Sequence, residues 1–170
     1  MKLTAHEWWA VVHGMGLGAV FLLAFAGGLV ELWTLRREWL TPPEVSHALR
    51  RLKTGVWAMA AAAWLTVITG TYIVYPWYRA KSPDSPRSKL LGNPDLAAWH
   101  SFAMEWKEHI AWASPILATV VAFVVTYYAA ELAARNDLRR AAIVLFVLAF
   151  AAAAIGGVFG AFINKVAPIL

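Results

Sequence analysis

Across 170 residues the chain is 61% hydrophobic and 15% charged, with a net charge of +5 and a mean hydropathy of +0.57. Soluble domains average about 45–50% apolar and about 25% charged, so the composition excludes an ordinary water-soluble fold and points to one compact membrane bundle. With no Cys there are no disulfides, no thiolate metal site and no CxxCH for covalent haem attachment; the positive charge sits in short loops beside apolar runs, which points to topology and anionic headgroups rather than nucleic acid.

In chain order, Thr4 and Glu7 form a T-x-x-E capping box ahead of the first apolar run. That run extends from Trp8 to Leu35 and is interrupted only by His13 and Glu31. Ala24-Phe25-Ala26 looks like a signal cleavage site, but the run is longer than a usual signal core, so it is expected to stay as a span. The second helix is expected to start after Pro42-Pro43 with Ser46 as cap, and no charge occurs between Lys53 and Arg79. The Pro- and Ser-containing segment from Arg79 to Pro94 is long enough to dock a partner. Asn93-Pro94-Asp95 then reads as N-cap, first-turn proline and early acid, opening an interfacial helix over 94–109 that joins the third span at a Pro115 kink. The third uncharged run is Ile110 to Ala130 and the fourth Ala141 to Asn164.

Roughly 20 apolar residues cross the hydrocarbon core. The expectation is therefore an all-α integral membrane protein: a single domain, 1–170, folded as an up-down-up-down four-helix bundle with an interfacial extension before the third span. Its spans are placed at 8–35, 54–78, 110–130 and 141–164. Most of the 10 Trp lie near the ends of these runs, as interfacial indoles do; Trp57 and Trp64 lie further inside. Gly14-x-x-x-Gly18 and Gly156-x-x-x-Gly160 suit close helix packing.

Arg36, Arg37, Arg50, Arg51, Lys53, Arg135, Arg139 and Arg140 flank one side of the membrane, and Lys2, Arg79, Lys81, Arg87, Lys89, Lys107 and Lys165 the other. The first set is packed into short loops, which places both termini on the outer side of a cell membrane. Glu31 and Glu131 lie where they can meet the Arg-rich loops, and Lys165 can snorkel to headgroups.

Ionisable groups at membrane depth are expensive and are functional candidates for that reason. His13 lies eight residues past Ala5, roughly 12 Å along a helix, and is followed by Gly14, Gly16 and Gly18. Imidazole ligates iron, and missing side chains let a flat macrocycle approach the backbone. The third helix carries His100, Met104, Glu105, Lys107, Glu108 and His109. In an up-down bundle the first and third helices are diagonal neighbours, which sets His13 and His109 at similar depth as a bis-His pair for haem b. Lys107, with Arg79 and Lys81, is placed to pair with propionates. His100 lies about 13 Å further out than His109. His47 stands alone on the opposite side, and His6 shares the His13 face at i, i+7.

The span pattern, with His13, its trailing glycines and His109, resembles small four-helix membrane subunits of b-type cytochromes. The resemblance implies a haem inside the bundle that passes electrons between a quinone pool and protein partners in a larger complex. The chain departs from two-haem members, which place His ligands near both membrane sides.

Two other readings compete. His100, Met104 and Glu108 share a face at i, i+4 and i+8 and suit copper. A cofactor-free anchor or assembly subunit fits the long external segment. No nucleophile–base pair, phosphate loop or HExxH motif supports an enzyme acting alone. Glu105-x-x-Glu108-His109 is similar to the carboxylate–His clusters of bundle oxidases, which need matching residues from other helices.

Overall fold

A computed structural model describes residues 2–36 and 38–168, so Arg37, counted above among the loop cations, lies outside the described residues. Four helices are long and apolar enough to cross a membrane: α1 (Ala5–Thr34), α2 (Pro42–Tyr78), α4 (Trp99–Tyr127) and α6 (Asn136–Val166). The shortest has 29 residues, about 43 Å at 1.5 Å per residue, against a hydrocarbon core of about 30 Å. Two short helices lie between them, α3 (Pro86–Leu91) and α5 (Ala129–Ala134). No strand occurs among the described residues.

The helix starts follow from side chains that satisfy otherwise orphaned backbone donors. At α1 the expected box is present: the Thr4 hydroxyl accepts from the Glu7 N–H at 3.2 Å, and the Glu7 carboxylate accepts from the Thr4 N–H at 2.7 Å. At α2 the cap is Thr41 rather than Ser46. Thr41 and Glu44 form a second capping box, and Pro42 takes the first helical position, where its missing N–H is no loss. Ser46 lies inside the helix and donates to the Pro42 carbonyl. Before α4, Asn93 folds an Asx turn instead of capping at Pro94. Its side-chain oxygen accepts from the Asp95 N–H at 3.0 Å, and its carbonyl takes the Leu96 and Ala97 amides. Asn readily bonds its own nearby backbone in this way, so α4 begins a turn later than expected. Further along, Pro115 cannot donate to the carbonyl four residues earlier, and the chain tightens into a 3₁₀ turn at Ile110–Trp112.

Around the bundle, α1 packs on α2, α2 on α4, α4 on α6, and α6 back on α1. Small residues line these seams: Ala60, Ala62 and Ala63 of α2, Ala118 and Ala122 of α4, and Ala149 of α6 are all buried. In lipid such residues let backbones approach, since burial of apolar surface drives little association there. Phe25 stacks on Phe150 at 4.0 Å and tilts against Phe146 at 5.2 Å, filling the α1–α6 seam. The two deep tryptophans are cross-links. Trp57 donates to Thr126 at 3.1 Å and Trp64 to Thr119 at 3.0 Å, tying α2 to α4. At the rim, Glu31 meets Arg51 at 2.5 Å, as the loop charges lead one to expect.

The segment between α2 and α4 is built into the fold. Ser85 caps α3, and Leu90, fully buried, joins Tyr78, Ala103, Met104, Ile163 and Ala167 in a second core at that end of the bundle.

Gly28 admits the Phe146 ring: a Cβ there would lie 2.9 Å from Cζ. That ring is fully buried and held by Phe25, so it has nowhere to move. Gly28→Ala is expected to destabilise the protein by about 1–3 kcal/mol, read as a lower thermal unfolding midpoint in detergent. An unchanged midpoint would show the ring to be free to yield.

Candidate functional site

Three of the four spans depart from α-geometry near the same end of the bundle. Val11–Gly16 in α1, Gly70–Val74 in α2 and Trp99–Met104 in α4 are π-helical. Such stretches are rare and often mark functional sites. Here the first contains His13, the second opens at Gly70 against the His13 ring, and the third contains His100.

His13 is half-buried and points towards α2. Its Nδ1 lies 2.9 Å from Thr69 Oγ1. The Thr69 hydroxyl has one hydrogen, committed to the Leu65 carbonyl at 2.7 Å or the Thr66 carbonyl at 3.2 Å. With its hydrogen on the Leu65 carbonyl, the nearest of these acceptors, Thr69 accepts from His13, and this arrangement puts the imidazole proton on Nδ1 and leaves the Nε2 lone pair free. Ligating histidines are commonly held in this way, with one nitrogen fixed by a neighbour and the other presented. A Cβ on Gly70 would lie 2.9 Å from His13 Cε1, so only glycine leaves room for the ring. Gly14 and Gly16, expected to admit a macrocycle, are both exposed; a Cβ on Gly14 would meet nothing within 4 Å, and one on Gly16 only the Val11 carbonyl at 3.9 Å.

Lys107 lies along α6. Its stem runs past Gly156 and its Nζ reaches Gly160, where a Cβ would collide with it. Gly156-x-x-x-Gly160 thus receives α4 at Ala111, 3.7 Å from a Cβ on Gly156, together with the Lys107 side chain. Lys107 also lies near His13.

His109 is not brought to His13. Its side chain is 69% exposed, and the ring bonds back to the Glu105 carbonyl at 3.0 Å and approaches the Glu105 carboxylate at 3.5 Å. The reason is helical phase. The face of α4 turned to the bundle runs through Ala103, Lys107, Ala111, Ser114 and Ala118, and position 109 is two residues, about 200°, from both 107 and 111.

Of the residues read as a copper set, His100 and Met104 are buried, and His100 Nδ1 is bonded to the Tyr78 hydroxyl at 2.8 Å. Glu108 lies beside Tyr75, and its Oε1 is buried without a hydrogen-bond partner. The Arg79 guanidinium sits 5.2 Å from the centre of the Tyr75 ring. Among the described residues no group of three or more His, Cys, Asp or Glu is close enough to hold a metal ion. The His6 ring is tilted at 38° against that of Trp77, with the ring centres 4.1 Å apart. His47 is exposed at the opposite end, 3.2 Å from Arg50, beside a groove of about 340 Å³ that Glu31, Glu44 and Arg51 also line.

Besides Glu108 Oε1, the Trp106 indole N–H and the Ser114 hydroxyl, both on α4, are buried without partners. Orphaned polar atoms in an apolar setting are places where a ligand or water completes the bonding. The polar end thus presents an imidazole held at one nitrogen, a lysine amine and unsatisfied groups on α4. That set can bind an electron-poor metal centre or a ligand bearing oxygen atoms. Comparison with family models, curated proteins and solved structures found no match for the chain.

Tyr78→Phe deletes the buried partner of His100 and is expected to cost about 1–3 kcal/mol. Chemical unfolding of the purified variant reads this loss; an unaltered curve would mean that His100 finds another partner at no cost.

Proposed function

We propose that the chain is a non-catalytic electron-transfer subunit of a larger membrane complex, an up-down-up-down bundle holding one b-type haem at its polar end and exchanging electrons with a quinone pool. The observation that carries this reading is His13, whose Nδ1–H is fixed by Thr69 so that Nε2 faces outward from the ring as a ligand lone pair. A haem there would supply a one-electron carrier. His13 would bind its iron, Thr69 would orient the imidazole, and Lys107 is the nearby cation for a propionate. Placing the termini outside a cell membrane, with an interfacial segment ahead of the third span, belongs to the same proposal.

His109 enters as the second ligand only if it leaves Glu105 and turns into the bundle. Its outward position favours a second reading, a cofactor-free anchor or assembly subunit. The copper reading rests on His100, Met104 and Glu108, with His100 Nδ1 already engaged by Tyr78.

A reduced-minus-oxidised visible spectrum of the purified protein, with haem quantified, separates these. A sharp α-band with stoichiometric haem b supports the cytochrome; a flat spectrum removes it, and metal analysis then divides copper from anchor. His13→Ala is expected to abolish haem retention and His47→Ala to leave it intact. Thr69→Val should weaken haem retention by about 10–100-fold, as loss of a partner that orients a ligand does. Loss of haem in His109→Ala would support the bis-His form. Full retention in His13→Ala would overturn the ligand assignment.

A further inference from the structure

At the end of the bundle opposite His13, a groove of about 500 Å³ follows the seam between α1 and α6. Leu29, Val30 and Trp33 form one wall and Ile143 and Val147 the other, with Thr34 at the lip. Apart from that threonine the lining is apolar, and Val30, Trp33 and Val147 are exposed.

The mouth of this groove is cationic. Arg36 follows α1 directly, its guanidinium 5.9 Å from the centre of the Trp33 ring and 4.1 Å from that of Trp39. Its Nε is buried without a hydrogen-bond partner. Arg139 precedes Ile143 by one turn of α6, and Arg140 lies beside it, so positions 139, 140, 143 and 147 share a face that runs into the groove. Arg139 is buried and donates to the Leu132 carbonyl at 3.0 Å and to the Asn136 side chain, neither of which carries charge. Arg36 and Arg140 each lie near enough to Arg139 to repel it, and the Glu38 carboxylate is near enough to offset part of that repulsion.

The carboxylates around them are largely committed elsewhere. Glu31 is bound to Arg51 at 2.5 Å and Asp137 to Arg135 at 2.6 Å. Glu38 approaches Arg36 only to 3.8 Å and is itself 66% exposed, where an ion pair contributes little. An apolar slot thus ends at a surplus of positive charge and an unused N–H donor.

We propose that this seam is a binding site for an anionic phospholipid of the surrounding bilayer. One acyl chain lies between Val30, Trp33, Ile143 and Val147, and the phosphate lies over Arg36 and Arg140, with the buried Arg139 adding its charge beneath them. Guanidinium groups suit phosphate oxygens because they offer several donors in a fixed plane. A zwitterionic lipid brings the same phosphate together with an ammonium that the three arginines repel, so the site discriminates by headgroup charge. Neither a haem nor the membrane side that this end faces has a part in the binding.

The test is native mass spectrometry of the full chain released from bilayers holding phosphatidylglycerol and phosphatidylcholine in equal amounts. Phosphatidylglycerol is expected to remain bound in clear preference. The double variant Arg36→Gln with Arg140→Gln alters only the rim and should lower that preference about tenfold, since each basic residue near an anionic surface contributes to the attraction. Val147→Trp fills the groove and should remove retained lipid of both kinds, with a thermal unfolding curve to verify folding. Equal retention of the two lipids would overturn the proposal. So would an unchanged preference in the double variant, or wild-type retention in a folded Val147→Trp protein.

Discussion

In hydrocarbon a polar group that cannot reach water must find its partner within the protein, and this requirement organises the bundle. The backbone meets it by staying helical. The side chains meet it by reaching across to a neighbouring helix: Trp57 to Thr126, Trp64 to Thr119, His13 to Thr69, Tyr78 to His100 and Arg51 to Glu31. Apolar burial contributes little to holding spans together in lipid, so these bonds and the close approach allowed by alanine and glycine fix which helices touch.

The same requirement separates the two ends. At the end holding Glu31 and Arg51, most charges lie at the rim, and the buried Arg139 is met by the Leu132 carbonyl and the Asn136 side chain. At the other end, polar groups enter the bundle itself, α3 covers part of them, and some lack partners. Irregular helix geometry is concentrated in that second region, where His13, Tyr78, His100, Lys107 and Glu108 all lie.

The four spans were legible because an uncharged run of that length has few alternatives, and the Thr4–Glu7 box was legible because both partners lie three residues apart. Thr41–Glu44 carries the same signature but stands beside two prolines, which drew the start of α2 too late. His13 stood out in the sequence. Its partner Thr69 lies 56 positions away, and Gly70, the glycine that admits its ring, looks like any other glycine in a span. His109 faces outward because small residues elsewhere on α4 set the phase of that helix, which no local spacing reveals. His100, buried by Tyr78 and roofed near Leu90, depends on a connecting segment that read as an exposed loop.

The π-helical stretches change how this chain can be numbered. A π turn holds one residue more than an α turn, so it acts as an insertion absorbed without a loop. Everything before it is rotated by about 100° from where a regular helical wheel would put it. His6 and His13 are seven residues apart, but the stretch at Val11–Gly16 begins between them, so their shared spacing does not give them a shared direction. The stretch at Trp99–Met104 likewise breaks the i, i+4, i+8 row of His100, Met104 and Glu108. Loss of a single residue from either stretch would return it to regular winding and redirect a whole turn of polar side chains. In this end of the protein, length is a determinant of orientation as much as identity is.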